Sequence, residues 1–503
     1  MRFASEYVQR NKPVIITGAL EGWKALRLWG ERYLTNHAVG STVVTVDVTP
    51  NGRGDAPSTV AVSGGEGAEA AAAGAGGAEA ERVASAAAAG GTQERWFVTP
   101  QERKMTLADF FALMRETRAR DTALRKGARG GGEVPGGKAH REVPYMQHQN
   151  SNLSEELAPL LADVAPGLPW AEEVFGGPPE AVNLWVGDQR SATSFHKDHY
   201  ENLYAVVRGT KVFTLLPPCD AFRMRLRRFP AATYMRRRDV PPGARFGDVS
   251  PQPGAPPHIG MTATGGGGSN VSSGRSGLAS KQQQVAAAAA GPDTEDPDRL
   301  VAVLNTPGYQ VLWSDVDCTA DTYLSLGQRR AAQPLFYGTE PSAAASGAAP
   351  AAPAAAAAHG STAAAAHTPG DHHQAHHEAH RREHAVKAAA GEVDDEDEDE
   401  EDGAASDEEQ GDEVWDAAGG APLVAQVGPG EVLYLPSIWY HQVEQRCSLT
   451  STAPGPDAEH DYVIAVNYWF DMKYDTRYSS FKLVEALATA IGLAEEPPAL
   501  ETM

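Results

Sequence analysis

Short, largely apolar stretches bounded by polar positions and Gly/Pro turns recur along this chain, and such stretches mark strands, in which successive side chains face opposite ways. Val14 to Thr17, Ser41 to Asp47, Val182 to Val186, Val212 to Leu216 and Tyr462 to Phe470 all read as strands. Val424 to Leu435 reads as a strand bent at Gly428-Pro429-Gly430. In the Tyr462 to Phe470 stretch, Val463, Ala465, Asn467 and Trp469 share one face, so a single amide interrupts an apolar row. Helical periodicity is confined to the first residues, to Leu107 to Thr117, and to Ser479 to Ile491, where Phe481, Leu483, Val484, Leu487 and Ile491 form a stripe. Short strands, Gly/Pro turns and no alternation of strand with helix predict a mainly β fold, a double-sheet jelly roll with flanking helices.

Composition then divides the chain. Of its 503 residues, 54–93 are mostly Ala, Gly and Ser, 126–138 form a Gly-rich loop, 241–292 are rich in Pro, Gly and Ser, and 338–421 in Ala, His and acids. Such segments bury too little apolar surface to offset their ordering entropy and are expected to be disordered insertions. They fall between predicted strands, so residues 1–503 are read as one catalytic domain with expanded loops. The formal net charge is -23, and 16 of the acids lie between Glu392 and Asp416, a self-repelling run. The Arg-rich stretch from Arg223 to Arg238 reads as solvated surface, so no nucleic-acid footprint is expected. Eight of the 16 histidines lie between His359 and His384, a low-complexity repeat with incidental metal affinity. Cys219, Cys318 and Cys447 have no metal-type spacing. No apolar run is long enough for a bilayer and the first residues lack a secretory h-region, so a cytoplasmic or nuclear protein is expected.

The chemistry is concentrated in His196-Lys197-Asp198 and, far downstream, in His441 of the Gly430 to His441 segment. On a strand, positions i and i+2 point the same way, so His196 and Asp198 can aim at one point while Lys197 faces away. His441 then completes two histidines and one carboxylate on one side of a metal, the open arrangement of non-haem Fe(II) oxygenases. A lone His-x-Asp is common and is usually a satisfied surface or core pair, so the surrounding order of residues has to decide.

That order resembles the JmjC-domain family of 2-oxoglutarate- and Fe(II)-dependent oxygenases, and within it the bifunctional peptidase and (3S)-lysyl hydroxylase subfamily. The resemblance is carried by His196 to Tyr204, by Leu435-Pro436 to His441, and by Ile464 to Met472. Weaker matches run from Lys12-Pro13-Val14-Ile15-Ile16 to Phe481-Lys482-Leu483, so it covers the chain outside the insertions. It implies a cupin-like double-stranded β-helix and iron bound by His196, Asp198 and His441, which are also the catalytic residues. Lys211 would pair with the distal carboxylate of the co-substrate 2-oxoglutarate, and Tyr145, Thr193, Asn202 and Asn467 would border or hydrogen-bond it. It further implies molecular oxygen as reactant, a lysyl side chain in a protein such as a translation-associated GTPase as substrate, and a terminal helix able to support a homodimer.

The competing class is a metal-dependent peptidase or hydrolase. Its common His-x-His-x-Asp-His pattern would need histidine where Ser194 stands, no His-Glu-x-x-His motif occurs, and Lys211 and Asn202 would have no role. Asp188, Asp471 and Asp475 flank the motif strands as acids a cationic substrate would want, but each also reads as ordinary surface charge.

Overall fold

All the predicted strands except Ser41 to Asp47 fall in two five-stranded sheets in the computed structural model, which describes residues 2–62, 92–130, 141–249, 296–317, 326–337, 421–447 and 462–496. The first sheet runs Val14–Ile16, Val432–Leu435, Tyr200–Arg208, Val463–Asp471, Ala181–Gly187. The second runs Leu423–Val427, Thr210–Leu216, Tyr440–Arg446, Ala192–His196, Arg53–Gly54. Trp185, Tyr204, Leu433 and Ala465 of the first sheet pack on Phe213, Leu215, Val427 and Val443 of the second, which makes the jelly-roll interior. The chain passes between sheets at Gly209, whose φ of 68° is left-handed, so one residue turns Tyr200–Arg208 into Thr210–Leu216. The bend at Gly428 to Gly430 is the same device, since Leu423–Val427 and Val432–Leu435 lie in different sheets.

The first sheet is buried on both faces, which explains unbroken apolar runs such as Leu203 to Val207. Its outer residues Leu203, Ala205, Tyr434, Ile464 and Val466 meet Trp23, Trp29, Phe110, Leu153 and Leu160 from the flanking helices and turns. Odd and even positions of Val463–Asp471 thus serve two cores, and the apolar face that carries Asn467 points into the barrel. A six-stranded sheet, unforeseen from the sequence, combines Leu300–Leu304, Phe246–Val249, Ala56–Val62, Thr92–Thr99, Leu226–Arg236 and Gln310–Ser314. A three-stranded one joins Gln101–Thr106, Val43–Thr49 and Val143–Tyr145.

Several expected boundaries move where residues are described. The 54–93 insertion is narrower, because Ala56–Val62 pairs with Thr92–Thr99 from Ala56↔Val98 to Val62↔Thr92 and buries Val60 and Val62. The Gly-rich loop at 126–138 starts later, since one helix spans Leu107–Gly130. Phe246–Val249, inside the expected 241–292 insertion, is a strand paired with both Ala56–Val62 and Leu300–Leu304. In each case a partner strand or a helical continuation overrode a composition that looks loop-like in isolation. Arg223 is not solvated surface: it is buried against Asp220 at 2.7 Å. The acid run, the His-rich repeat and Cys318 lie outside the described residues. The terminal helix, Thr476–Ala490, turns Ala488 inward while Leu483, Leu487 and Ile491 are exposed. Among the described residues, no helix is long and apolar enough to cross a membrane.

Candidate metal centre and co-substrate pocket

His196 and His441 are register partners on antiparallel neighbours, Ala192–His196 and Tyr440–Arg446, and their ring centroids lie 4.1 Å apart. Asp198 joins them: its Oδ2 is 3.8 Å from His196 Nε2 and 3.7 Å from His441 Nε2. One donor atom from each residue falls within 4.8 Å of the others. Each Nδ1 sits against a backbone carbonyl, Ser194 at 2.8 Å and Trp439 at 3.0 Å. A carbonyl only accepts, so each Nδ1 carries the hydrogen and each Nε2 lone pair faces the shared point. Burial, and then the neighbouring His196, hold His441 down to about 4, so it is neutral, as a ligand must be. Two imidazole nitrogens and one carboxylate oxygen, pre-oriented with no protein cation among them, fit a divalent metal.

The strand expectation needs one correction. The first strand ends at His196, and Asp198 lies beyond it, before the next strand begins at Tyr200. Asp198 is placed instead by the Ile438 N–H, which donates to its carbonyl at 2.8 Å. The segment that supplies His441 thereby holds the carboxylate as well. Thr193 lies three residues before His196, a spacing that would oppose their side chains in a regular strand. A register shift between His441 and Val443 places Thr193 opposite Val443, the mark of an extra residue, and both Thr193 and His196 line one cavity.

Glu201 secures the approach to His441. Its buried carboxylate accepts from Tyr434 Oη at 2.7 Å, Ser437 Oγ at 3.0 Å and Ser437 N at 3.2 Å. Glu201→Ala should therefore cost about 2–4 kcal/mol of stability, because three donors lose a buried acceptor. Chemical denaturation checks this, and a variant as stable as wild type would remove Glu201 from the role.

Lys211 is fully buried. Its Nζ donates to Tyr145 Oη at 3.1 Å and to Gln445 Oε1 at 3.0 Å, and lies 5.3 Å and 5.8 Å from the ring centres of Tyr145 and Tyr204. Among the described residues no carboxylate pairs with it. Burial lowers its pKa to about 7, the cost of keeping a cation there without a counter-charge. Lys211 and Tyr145 do not themselves line the triad cavity and adjoin it through Tyr204, which does; the other expected co-substrate residues line it directly. Thr193, Asn202 and Asn467 line the triad cavity, Asn467 Nδ2 lies 3.4 Å from Asn202 Oδ1, and Trp185 Nε1 donates to Asn467 Oδ1 at 2.9 Å. A buried ammonium and a phenol at one end, with amides and hydroxyls towards the metal, suit a dicarboxylate.

Sequence reasoning missed Gln445, Tyr204, Trp185 and Trp313. Two of them carried a signal: Gln445 is His441+4 and Tyr204 is Asn202+2, the same faces of their strands. Trp313 lies nearly parallel to the His196 ring at 6.3 Å, and its Nε1 donates to Ser194 Oγ at 2.9 Å. Ser194 Oγ in turn donates to the Asp55 carbonyl at 2.6 Å, so the position where the hydrolase pattern needs a ligand is engaged elsewhere. Asp188 is fully buried against Arg190 at 2.7 Å, Asp471 is exposed at its strand end, and Asp475 caps the terminal helix; none lines the triad cavity.

Residues 1–476 match the model of the cupin-like domain family. The chain is 25% identical over 487 residues to the lysine-specific demethylase JMJ32 of Arabidopsis thaliana, covering 97% of this chain and 83% of the relative. It is 35% identical over 234 residues to the human bifunctional peptidase and (3S)-lysyl hydroxylase JMJD7, covering 46% of this chain and 56% of that protein. JmjC domain-containing protein E of Dictyostelium discoideum is 32% identical over 236 residues, 47% of this chain and 54% of its own.

Proposed function

This chain belongs to the cupin-like domain family as a JmjC oxygenase, and on that premise we propose that it hydroxylates lysyl side chains of a protein substrate, with iron(II) and 2-oxoglutarate. The observation that carries the reading is the pairing of an open His196/Asp198/His441 set with Lys211, a buried cation lacking a carboxylate partner. A metallohydrolase has a use for the first and none for the second. The translation-associated GTPase partner is supported by the motif resemblance, and a homodimer by the exposed Leu483, Leu487 and Ile491.

In this reading His196 and His441 would hold the metal through Nε2 and Asp198 through a carboxylate oxygen. Iron(II) bound there supplies oxygen activation, with 2-oxoglutarate oxidised to succinate and carbon dioxide as the substrate C–H bond gains an oxygen atom. Lys211 and Tyr145 hold the distal carboxylate, and Thr193, Asn202 and Asn467 orient the remainder. Trp185, Tyr204, Phe213 and Val443 wall the cavity with apolar surface, which limits water around the reacting atoms.

A second reading is supported by the relative matched over most of the chain, whose name is that of a lysine-specific demethylase. Intact-mass analysis separates the two. Gain of one oxygen on an unmodified lysyl substrate supports hydroxylation, whereas loss of a methyl group as formaldehyde from a methyl-lysyl substrate, with no stable oxygen adduct, would replace it.

Lys211 also predicts a pH dependence. Below about 7 the free enzyme already carries the ammonium that pairs with the co-substrate; above it, binding must take up a proton. The apparent Kd for 2-oxoglutarate should be flat below that pH and rise by about tenfold per unit above it, until the raised pKa of the complex is reached. Calorimetry with Mn(II) in place of iron checks this, and affinity that improves with rising pH would contradict it.

A further inference from the structure

Beside the triad lies a second cavity of about 520 Å³, walled by Asp47, Asp55, Glu102, Gln147, His148 and Gln149. Gln149 lines both cavities. Asp55 immediately follows Arg53–Gly54, which pairs with the His196 strand at Gly54↔Thr193, and its carboxylate lies within electrostatic reach of His196. Asp47 and Glu102 are direct cross-strand partners, an arrangement of like charges that costs stability. Asp47 is only 8% exposed, and burial raises its carboxyl to about 7. Among the described residues no lysine or arginine forms an ion pair with Asp47, Asp55 or Glu102; the groups that face them are His148, whose Nδ1 is 3.9 Å from Glu102, the His196 ring towards Asp55, and the Gln147 amide, which hydrogen-bonds Asp47. In the triad cavity itself, Trp469 is 7% exposed and its Nε1 hydrogen has no acceptor.

We infer that this acid-walled annex of the triad cavity is the subsite for the cationic side chain of a protein substrate, with Asp47, Asp55 and Glu102 as its specificity-determining residues. The inference rests on the oxygenase reading above and names how its substrate is chosen. The space is far larger than a bare metal ion needs, and suits an ammonium carried on a flexible apolar stem. Three acidic groups held together with no lysine or arginine between them are complementary to an incoming positive charge, which would also favour the charged form of Asp47, and a neutral isostere offers no such compensation. The two ends of the site thus differ in sign: Lys211 receives the dianionic co-substrate, and the annex receives the basic side chain. The unsatisfied Trp469 N–H offers a donor to a carbonyl of the incoming chain.

The test uses N-acetyl-lysine methylamide and its uncharged norleucine isostere as probes on the full chain loaded with Mn(II) and 2-oxoglutarate, read by ligand-observed NMR. Wild type should prefer the lysine probe by at least about tenfold, and Asp47→Asn/Asp55→Asn should lose that preference. Asp47→Asn should also raise the melting temperature at pH 8. The folded pKa lies above its unfolded value, so the charged carboxyl destabilises the fold as pH rises through that range, and the amide removes the penalty. A carboxylate with a merely structural role would lower it. Equal affinity of wild type for the two probes, an undetectable preference, or a preference that survives in the double variant would overturn the inference while leaving Mn(II) and 2-oxoglutarate binding, and so the oxygenase reading, intact. A second equivalent of Mn(II) per chain, lost in Asp47→Asn, would assign the cluster to a metal instead and overturn it equally. Wild type that binds neither Mn(II) nor 2-oxoglutarate would sink the oxygenase reading, and this inference with it.

Discussion

Asp198→Ala should reduce succinate formation to background and abolish tight Mn(II) binding, with the fold preserved. Even partners of metal ligands, one bond further out, typically cost about 10–100-fold in affinity or activity, so loss of the only carboxylate donor should exceed that. The fold should survive because Asp198 is held through its backbone carbonyl, which the substitution keeps, and because its side chain supports no core residue. His196→Ala and His441→Ala should do the same to turnover. His441→Ala should cost more stability, since His441 is buried at 4% exposure between the two sheets. Equilibrium dialysis of Mn(II), succinate quantification and a thermal melt together check the claim. Near-normal succinate production by Asp198→Ala would disprove the ligand assignment.

Lys211→Ala should separate oxygenase from hydrolase. Metal binding should persist, because Lys211 is no ligand, while the apparent Michaelis constant for 2-oxoglutarate should rise steeply. Truncating one partner of a buried charge pair costs about 2–5 kcal/mol, a weakening of roughly 30-fold to a few thousandfold. Product formation across a 2-oxoglutarate titration, in air and under nitrogen, is the measurement. Product that forms equally well without oxygen or 2-oxoglutarate would establish the hydrolase reading. A Lys211→Ala enzyme with wild-type 2-oxoglutarate dependence would leave the buried ammonium without its proposed function.

The two halves of the site were unequally legible. Local alternation was enough to recognise the strand carrying Asn467 and to turn Lys197 away from the metal, because a period of two is a property of the extended backbone itself. Applied to Thr193 and His196 the same rule would set them on opposite faces, whereas an extra residue in the strand reverses the parity, and a bulge leaves no local trace in the residue types. It also placed Asp198 on a strand that ends two residues earlier, because that carboxylate is positioned by a hydrogen bond from Ile438, 240 residues away. Gln445 went unnoticed although it shares a strand face with His441: nothing local says that Lys211 will lie directly across from it.

Sequence alone determined the residue types able to hold a metal and a mainly β framework with helices at its edges, whereas a part for Lys211 in co-substrate binding was implied only by the family resemblance. The first two follow from side-chain functional groups and from backbone periodicity, both of which act over a few residues. Three things required the tertiary structure: the meeting of His441 with His196 across antiparallel strands, the burial of Lys211 without a counter-charge, and the cavity where Asp47 faces Glu102 beside the metal. The physical reason is the same in each case. Cross-strand register and desolvation are set by which distant segments pair and exclude water, and that pairing is decided by the whole core rather than by any stretch within it.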